Sequence, residues 1–174
     1  MPLVSLSLGS NSNPVYVLTV ALDALALHFG DLQISSVFES EPVGFTGPNF
    51  LNLVVAFDTA LPLQALATAL RALEDAHGRI RTGPRFSGRT LDIDILTYGD
   101  LQGEHDGIAL PRAEILENAY VLWPLAQLLP EHRHPVNSQT YAQLWRDYDK
   151  GRQALWPVEF LWQGLRISST AVKK

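Results

Sequence analysis

The chain has 174 residues, of which 47% are hydrophobic and 18% charged, and this length suits one well-cored globular domain. Its formal net charge of −5 disfavours a general nucleic-acid binder, which usually carries a broad basic face. It has no cysteine, which excludes a disulfide framework and a thiolate metal site, and no signal-peptide or membrane-span pattern, so we expect a cytoplasmic protein.

The first part of the chain alternates between strand-like and helix-like hydrophobic patterns. Asn13 followed by Pro14 is typical of a helix start, and Gly30 is typical of its end. The predicted order is strand, helix, strand, strand, helix, strand, over residues 3–8, 14–30, 32–38, 50–57, 62–78 and 90–96. This order predicts an α+β fold with a ferredoxin-like split βαβ core, in which two helices pack on an antiparallel sheet.

The remainder of the chain predicts C-terminal helical additions to this core. The apolar residues of segment 115–129 have the spacing of a helix that is interrupted at Pro124. Residues 141–145 are predicted to form another, shorter helix. Glu39 to Asn49 is rich in proline and glycine and is predicted to be a surface loop. We expect a single domain over residues 1–155 and a C-terminal extension over residues 156–174.

Residues 79–95 carry the strongest chemical signal. Arg79, Arg81, Arg85 and Arg89 lie in an acid-free stretch that also contains a Gly-Pro and a Ser-Gly pair, which indicates a loop suited to phosphate oxygens. The following strand carries Asp92 and Asp94 at alternate positions, so both carboxylates point to one face while Leu91, Ile93 and Ile95 face the core. Two adjacent carboxylates suit Mg²⁺, whereas the alternative is an arginine–carboxylate network that neutralises itself.

The chain resembles the 6-hydroxymethyl-7,8-dihydropterin pyrophosphokinase family over roughly residues 3–131. The most specific part of the resemblance is Arg89-Thr90-Leu91-Asp92-Ile93-Asp94, preceded by Arg79-Ile80-Arg81. Further matching segments are Gly9-Ser10-Asn11, Glu41-Pro42-Val43-Gly44, Phe50-Leu51-Asn52, Glu74 and Tyr120-Val121-Leu122-Trp123-Pro124-Leu125.

The resemblance implies transfer of the terminal diphosphate of ATP to the hydroxymethyl group of a dihydropterin in folate biosynthesis, with release of AMP. It implies that Asp92 and Asp94 hold two Mg²⁺ ions and that Arg81, Arg85 and Arg89 act in catalysis. The residues implied to contact the pterin are Ser40, Val43, Phe50, Asn52, Phe86 and Tyr120, and those implied to contact ATP are Glu74, Arg81, Arg85, Arg89 and Ile95. We expect a monomer that acts on small molecules without nucleic-acid or membrane partners.

Departures from the family pattern cluster on the nucleotide side. The family commonly has glutamine at Arg71, His-Tyr at Arg112-Ala113 and arginine at Asn118. These changes leave open a second hypothesis, a divergent paralogue that binds a pterin without transferring diphosphate. A third hypothesis, an RNA-binding module on the same core, is disfavoured by the net charge and by the lack of an aromatic, basic strand.

Overall fold

The computed structural model describes residues 1–77 and 91–171. Five residues of the predicted phosphate-binding loop therefore lie outside the described residues: Arg79, Arg81, Arg85, Phe86 and Arg89. The strands are β1 (Leu3–Ser10), β2 (Gln33–Ile34), β3 (Val37–Ser40), β4 (Phe50–Asp58), β5 (Asp92–Tyr98), β6 (Gly103–His105), β7 (Ile108–Leu110), β8 (Leu155–Val158), β9 (Phe160–Trp162) and β10 (Leu165–Ser168). The helices are α1 (Pro14–Phe29), α2 (Leu63–His77), α3 (Glu114–Glu117), α4 (Ala119–Leu128) and α5 (Tyr141–Asp147).

The main sheet has the order β5-β1-β4-β3-β8, and β2 also pairs with β4. Every paired neighbour in this sheet is antiparallel. The two strands that follow one another along the chain, β3 and β4, lie on one side of β1, and β5 lies on its other side. The predicted ferredoxin-like α+β core is thus confirmed, with helical additions at its C-terminal side.

Apolar side chains on both faces of the sheet build two cores. Leu53 and Val55 of β4 point into the core that α1 and α2 cover. Their neighbours Val54 and Ala56 point into a second core, which includes residues of α4 and α5. Alternate residues of a strand face opposite sides, so a strand that is apolar throughout is buried on both faces. Where the second core ends, the same face of the sheet is left open.

Two local expectations are corrected by the structure. The helix predicted over residues 115–129 breaks at Asn118, which is extended at φ −114° and ψ 122°, whereas Pro124 lies inside α4. Burial of the residues around Pro124 offsets the one hydrogen bond that proline removes. Asn13 does precede α1, but it adopts a left-handed conformation and its side chain makes no capping hydrogen bond.

The predicted strand over residues 32–38 is divided into β2 and β3. Between them the Ser35 hydroxyl accepts a hydrogen bond from the Val54 amide, and the Ser35 amide donates to the Val54 carbonyl. β3 continues to Ser40, so the loop before β4 begins at Glu41 rather than at Glu39.

The C-terminal residues return to the main sheet. β8 pairs antiparallel with β3, with Leu155 opposite Ser40 and Val158 opposite Val37. The predicted division after residue 155 falls inside β8, and the two-part organisation stays a prediction. Within residues 1–77 and 91–171, no helix has the length and apolar character needed to cross a membrane.

Candidate active site

A cavity of about 240 Å³ lies on the sheet face that the second core leaves open. The ends of β1, β4 and β5, the loop after β3 and the segment around α3 and the start of α4 supply its walls. The lining residues are Ser7, Gly9, Ser40, Glu41, Val43, Phe45, Phe50, Asn52, Asp92, Asp94, Leu96, Arg112, Glu114, Asn118, Tyr120 and Val121.

The two aspartates lie side by side on the wall that β5 forms. Asp92 is opposite Gly9 and Asp94 is opposite Ser7 in the β1–β5 register, so both face the cavity. Ile93 and Ile95 point into the core under α1 and α2, which confirms the predicted division of this strand. The Asp94 side chain is 48% exposed, so solvent reaches its carboxylate.

Arg112 joins the aspartate pair from the segment before α3. Its Nη2 lies 3.3 Å from Asp94 Oδ1, and its Nε donates to Glu114 Oε2 at 3.0 Å. The Arg112 amide also donates to the Leu96 carbonyl at 2.9 Å, which fixes this segment beside β5. Among the described residues, Arg112 is the one basic side chain at a cavity that carries four acids. The described walls therefore present a negative surface that favours a bound cation.

Asn52 is buried on β4, opposite Gly9 of β1. Its side chain lies directly over Gly9. A Cβ atom at residue 9 would therefore collide with Asn52 Nδ2. Glycine at this position leaves room for the amide between the two neighbouring strands. The amide can therefore offer a donor and an acceptor at the cavity wall.

Aromatic rings line the cavity on two sides. Phe50 from β4 makes an edge-to-face contact with Phe45 from the preceding loop, with ring centroids 6.1 Å apart. Tyr120 comes from the first turn of α4. Burial raises the pKa of Tyr120 above its ordinary value of 10.0, and the charges of Glu114 and Asp94 raise it further. Its hydroxyl is therefore protonated at neutral pH and can donate a hydrogen bond.

These observations place an aspartate pair, a buried amide and aromatic rings around one cavity, and most of the sequence matches a family model. The model of the family described as 7,8-dihydro-6-hydroxymethylpterin-pyrophosphokinase (HPPK) matches residues 5–130. The chain belongs to the HPPK family.

Two curated HPPK relatives are similar over most of their length. Both are named 2-amino-4-hydroxy-6-hydroxymethyldihydropteridine pyrophosphokinase. The Synechocystis sp. protein is 34% identical over 87% of this chain and 77% of its own. The Pseudomonas aeruginosa protein is 37% identical over 76% of this chain and 83% of its own.

Solved HPPK-DHPS structures share the fold. The wild-type Plasmodium falciparum HPPK-DHPS has a TM-score of 0.71 at 13% identity, covering 92% of this chain and 48% of that chain. An HPPK-DHPS crystal structure in complex with substrates has a TM-score of 0.73 at 12% identity, covering 92% of this chain and 49% of that chain. This chain therefore spans about half the length of those proteins.

The structure brings most of the described HPPK site candidates together. Seven of them line the cavity: Ser40, Val43, Phe50, Asn52, Asp92, Asp94 and Tyr120. Of the described candidates, Glu74 and Ile95 lie outside this cavity. The Ile95 side chain is buried in the core under α1 and α2, and the Glu74 carboxylate accepts a hydrogen bond of 3.4 Å from the Ile93 amide. Glu74 thus approaches β5 from the helix side, between the two aspartates.

Sequence reasoning missed several residues of the cavity wall, notably Ser7, Phe45 and Glu114. Ser7 has a simple signal, since it faces the same side of β1 as Gly9 and pairs with Asp94. Phe45 belongs to the loop that was predicted to carry ligand contacts, but its position depends on how that loop folds over Phe50. Glu114 becomes a wall residue only because the Arg112 segment packs beside β5.

The donor set at the aspartates is of the kind that fits Mg²⁺. No group of three or more His, Cys, Asp or Glu among the described residues is arranged to hold a metal ion. Two carboxylates without further protein ligands are nevertheless typical of Mg²⁺ bound together with substrate phosphates and water. Asp92 and Asp94 are therefore the residues that would hold the metal.

Proposed function

We propose that this chain transfers diphosphate from ATP to the hydroxymethyl group of 6-hydroxymethyl-7,8-dihydropterin and releases AMP. The observation that carries this proposal is the cavity itself, in which the aspartate pair lies on the same walls as Phe50, Asn52 and Tyr120. The names of the Synechocystis and Pseudomonas relatives point to the same activity.

We assign the pterin to the side of the cavity that Phe50, Asn52 and Tyr120 form. Aromatic rings offer faces for stacking on a flat heterocycle, and an amide can hydrogen-bond to its edge on both a donor and an acceptor atom. Asn52 is held over Gly9, so it meets the ligand without having to be ordered first. Ser40 and Val43 complete this side of the cavity. Phe86 lies outside the described residues and is proposed as a further pterin contact.

We assign the nucleotide phosphates to the side of the cavity next to Asp92 and Asp94. The family resemblance implies two Mg²⁺ ions at these carboxylates. They would neutralise phosphate charge and orient the transferring group. Arg81, Arg85 and Arg89 lie outside the described residues and are proposed to neutralise the remaining charge. Glu74 and Ile95 are proposed as further ATP contacts.

The chain itself then performs binding, orientation and charge stabilisation. Diphosphate transfer demands that the attacking hydroxyl and the β-phosphorus be held in line, because the protein has little covalent chemistry to supply. The pterin pocket fixes the hydroxymethyl group, and the aspartate side fixes the phosphates. Asn52 on β4 and the aspartates on β5 lie on either side of β1 in one sheet, and this spacing sets the distance between the two substrates.

AMP release by the purified protein tests the proposal. With Mg²⁺, ATP and the pterin, AMP is expected to form, and without the pterin it is expected to be nearly absent. A protein that binds the pterin in calorimetry but forms no AMP would instead be a binding paralogue. The expectations of a monomer, a cytoplasmic location and no nucleic-acid partner remain predictions of the sequence.

A further inference from the structure

Helix α4, which carries Tyr120, receives its N-terminal cap from a distant part of the chain. Asn118 occupies the N-cap position of α4, but its side chain makes no capping hydrogen bond. The first amide of the helix, at Ala119, instead donates to Gln153 Oε1 at 2.8 Å. An amide that starts a helix has no partner within it, so Gln153 supplies the partner from 34 residues away.

The same glutamine also fixes which way the Asn118 amide points. The Ala119 amide can only donate, so Gln153 must turn its oxygen towards it. The Gln153 nitrogen then donates to Asn118 Oδ1 at 2.9 Å. The Asn118 oxygen is thereby directed towards Gln153, and the Asn118 NH₂ group is directed away from it. Asn118 also lines the cavity, so this amide is a donor at the wall of the candidate site.

Contacts on either side of Gln153 hold it in place. The Tyr148 hydroxyl donates to the Glu117 carbonyl at 2.7 Å, which ties the segment after α5 to the end of α3. The Arg152 guanidinium lies over the Tyr148 ring at 5.6 Å. On the other side, Leu155 pairs with Ser40 in the main sheet. The backbone at Gln153 is therefore held between two anchored points.

We propose that Gln153 is a positioning residue of the active site. It orients the Asn118 NH₂ group as a hydrogen-bond donor to an oxygen atom of a bound substrate. This inference rests on the proposed function, because the substrate is the one that the cavity binds in that reaction. Gln153 lies beyond residues 5–130, which the HPPK family model matches, so the C-terminal segment supplies part of the site.

A double-mutant cycle between Gln153 and Asn118 tests the proposal. Gln153→Met preserves side-chain length but removes both hydrogen bonds, and Asn118→Ala removes the donor. Gln153→Met is expected to raise KM for ATP or for the pterin about fivefold, with a smaller change in kcat, as the loss of one well-oriented hydrogen bond would do. In the Asn118→Ala background the same substitution should leave that KM nearly unchanged, because the residue acts through Asn118.

Gln143→Met is the matched control, since Gln143 is a capping residue of α5 outside the cavity. Its Oε1 accepts from the Thr140 amide at 2.9 Å. Gln143→Met should lower Tm about as much as Gln153→Met does, without changing KM for ATP or KM for the pterin. The inference is overturned if Gln153→Met raises KM equally in both backgrounds, or no more than Gln143→Met does. Absence of AMP release by the wild type would instead contradict the proposed function.

A second readout does not depend on turnover. In ¹⁵N-labelled protein, the Asn118 side-chain NH₂ signal can be identified by its loss in Asn118→Ala. It is expected to shift in unliganded Gln153→Met, and to shift in the wild type when substrate is added. A signal that stays unchanged on substrate addition, in protein that releases AMP, would overturn the inference.

Discussion

Arg112 Nη2 lies 3.3 Å from Asp94 Oδ1, so a guanidinium occupies one edge of the carboxylate pair proposed to bind Mg²⁺. The two side chains are 34% and 48% exposed, so solvent screens the pair and its net value is about 1 kcal/mol or less. A divalent cation can therefore displace the guanidinium from Asp94. Arg112 would then be able to contact phosphate oxygens, while its Nε, 3.0 Å from Glu114 Oε2, would keep it close to the site.

Replacing Arg112 with methionine should strengthen metal binding in the absence of nucleotide. We expect the affinity for Mn²⁺, measured by calorimetry or by electron paramagnetic resonance, to rise about twofold to fivefold, because the competing guanidinium is gone. Affinity for a non-hydrolysable ATP analogue with Mg²⁺ should fall. Arg166→Met is the control, since Arg166 pairs with Glu159 at 3.2 Å away from the cavity. Unchanged Mn²⁺ affinity in Arg112→Met would show that Arg112 does not compete with the metal.

Replacing Gly9 with alanine should displace Asn52. A Cβ atom at residue 9 collides with the Asn52 amide, and overpacking of this kind costs about 1–3 kcal/mol. We expect a lower Tm and a larger increase in KM for the pterin than in KM for ATP. The stability loss should be smaller when Gly9→Ala is added to Asn52→Ala, which removes the collision. Equal losses of stability in both backgrounds would place the strain elsewhere.

The stability of the protein should depend on pH through His134. Burial lowers the pKa of His134 below its ordinary value of 6.5, and its Nδ1 accepts from the Val136 amide at 3.2 Å. The unfolded chain therefore binds a proton at His134 more tightly than the folded chain does. The contribution of neutral His134 to the free energy of unfolding is fully present above about pH 6.5 and is lost as the pH falls towards the folded pKa. His134→Asn preserves an acceptor and cannot titrate.

Denaturant unfolding between pH 5 and 7 measures this effect. The wild type should lose stability on acidification more steeply than His134→Asn does. The control His132→Gln changes an exposed histidine and should follow the wild type. Identical slopes for the wild type and His134→Asn would contradict the assignment.

Local sequence pattern was sufficient for the part of the site that lies on one strand. Alternation places Asp92 and Asp94 on the face opposite Ile93, and the structure has that arrangement. The order of strands and helices along the core was also predictable, because hydrophobic periodicity and turn residues act over a few neighbours. Family resemblance then pointed to Asn52 and Tyr120, which line the same cavity as the two aspartates.

Relationships across long sequence separations could not be predicted in this way. The contact of Gln153 with Asn118 spans 35 residues, and the pairing of β8 with β3 joins residues more than a hundred positions apart. The break at Asn118 was missed because proline is a strong local signal for interruption, whereas the cap at Ala119 depends on Gln153. Tertiary packing decided both outcomes.

The aspartate pair and the side of the cavity formed by Phe50, Asn52 and Tyr120 are proposed to serve one diphosphate transfer. Pterin-dependent AMP release by Asp92→Asn and Asp94→Asn, compared with Asp58→Asn at the exposed end of β4, tests it most directly. Each of the first two substitutions removes a charge at the cavity and should lower kcat by at least about 100-fold, whereas Asp58→Asn should match the wild type. AMP release at the wild-type rate by Asp92→Asn and Asp94→Asn would contradict the claim.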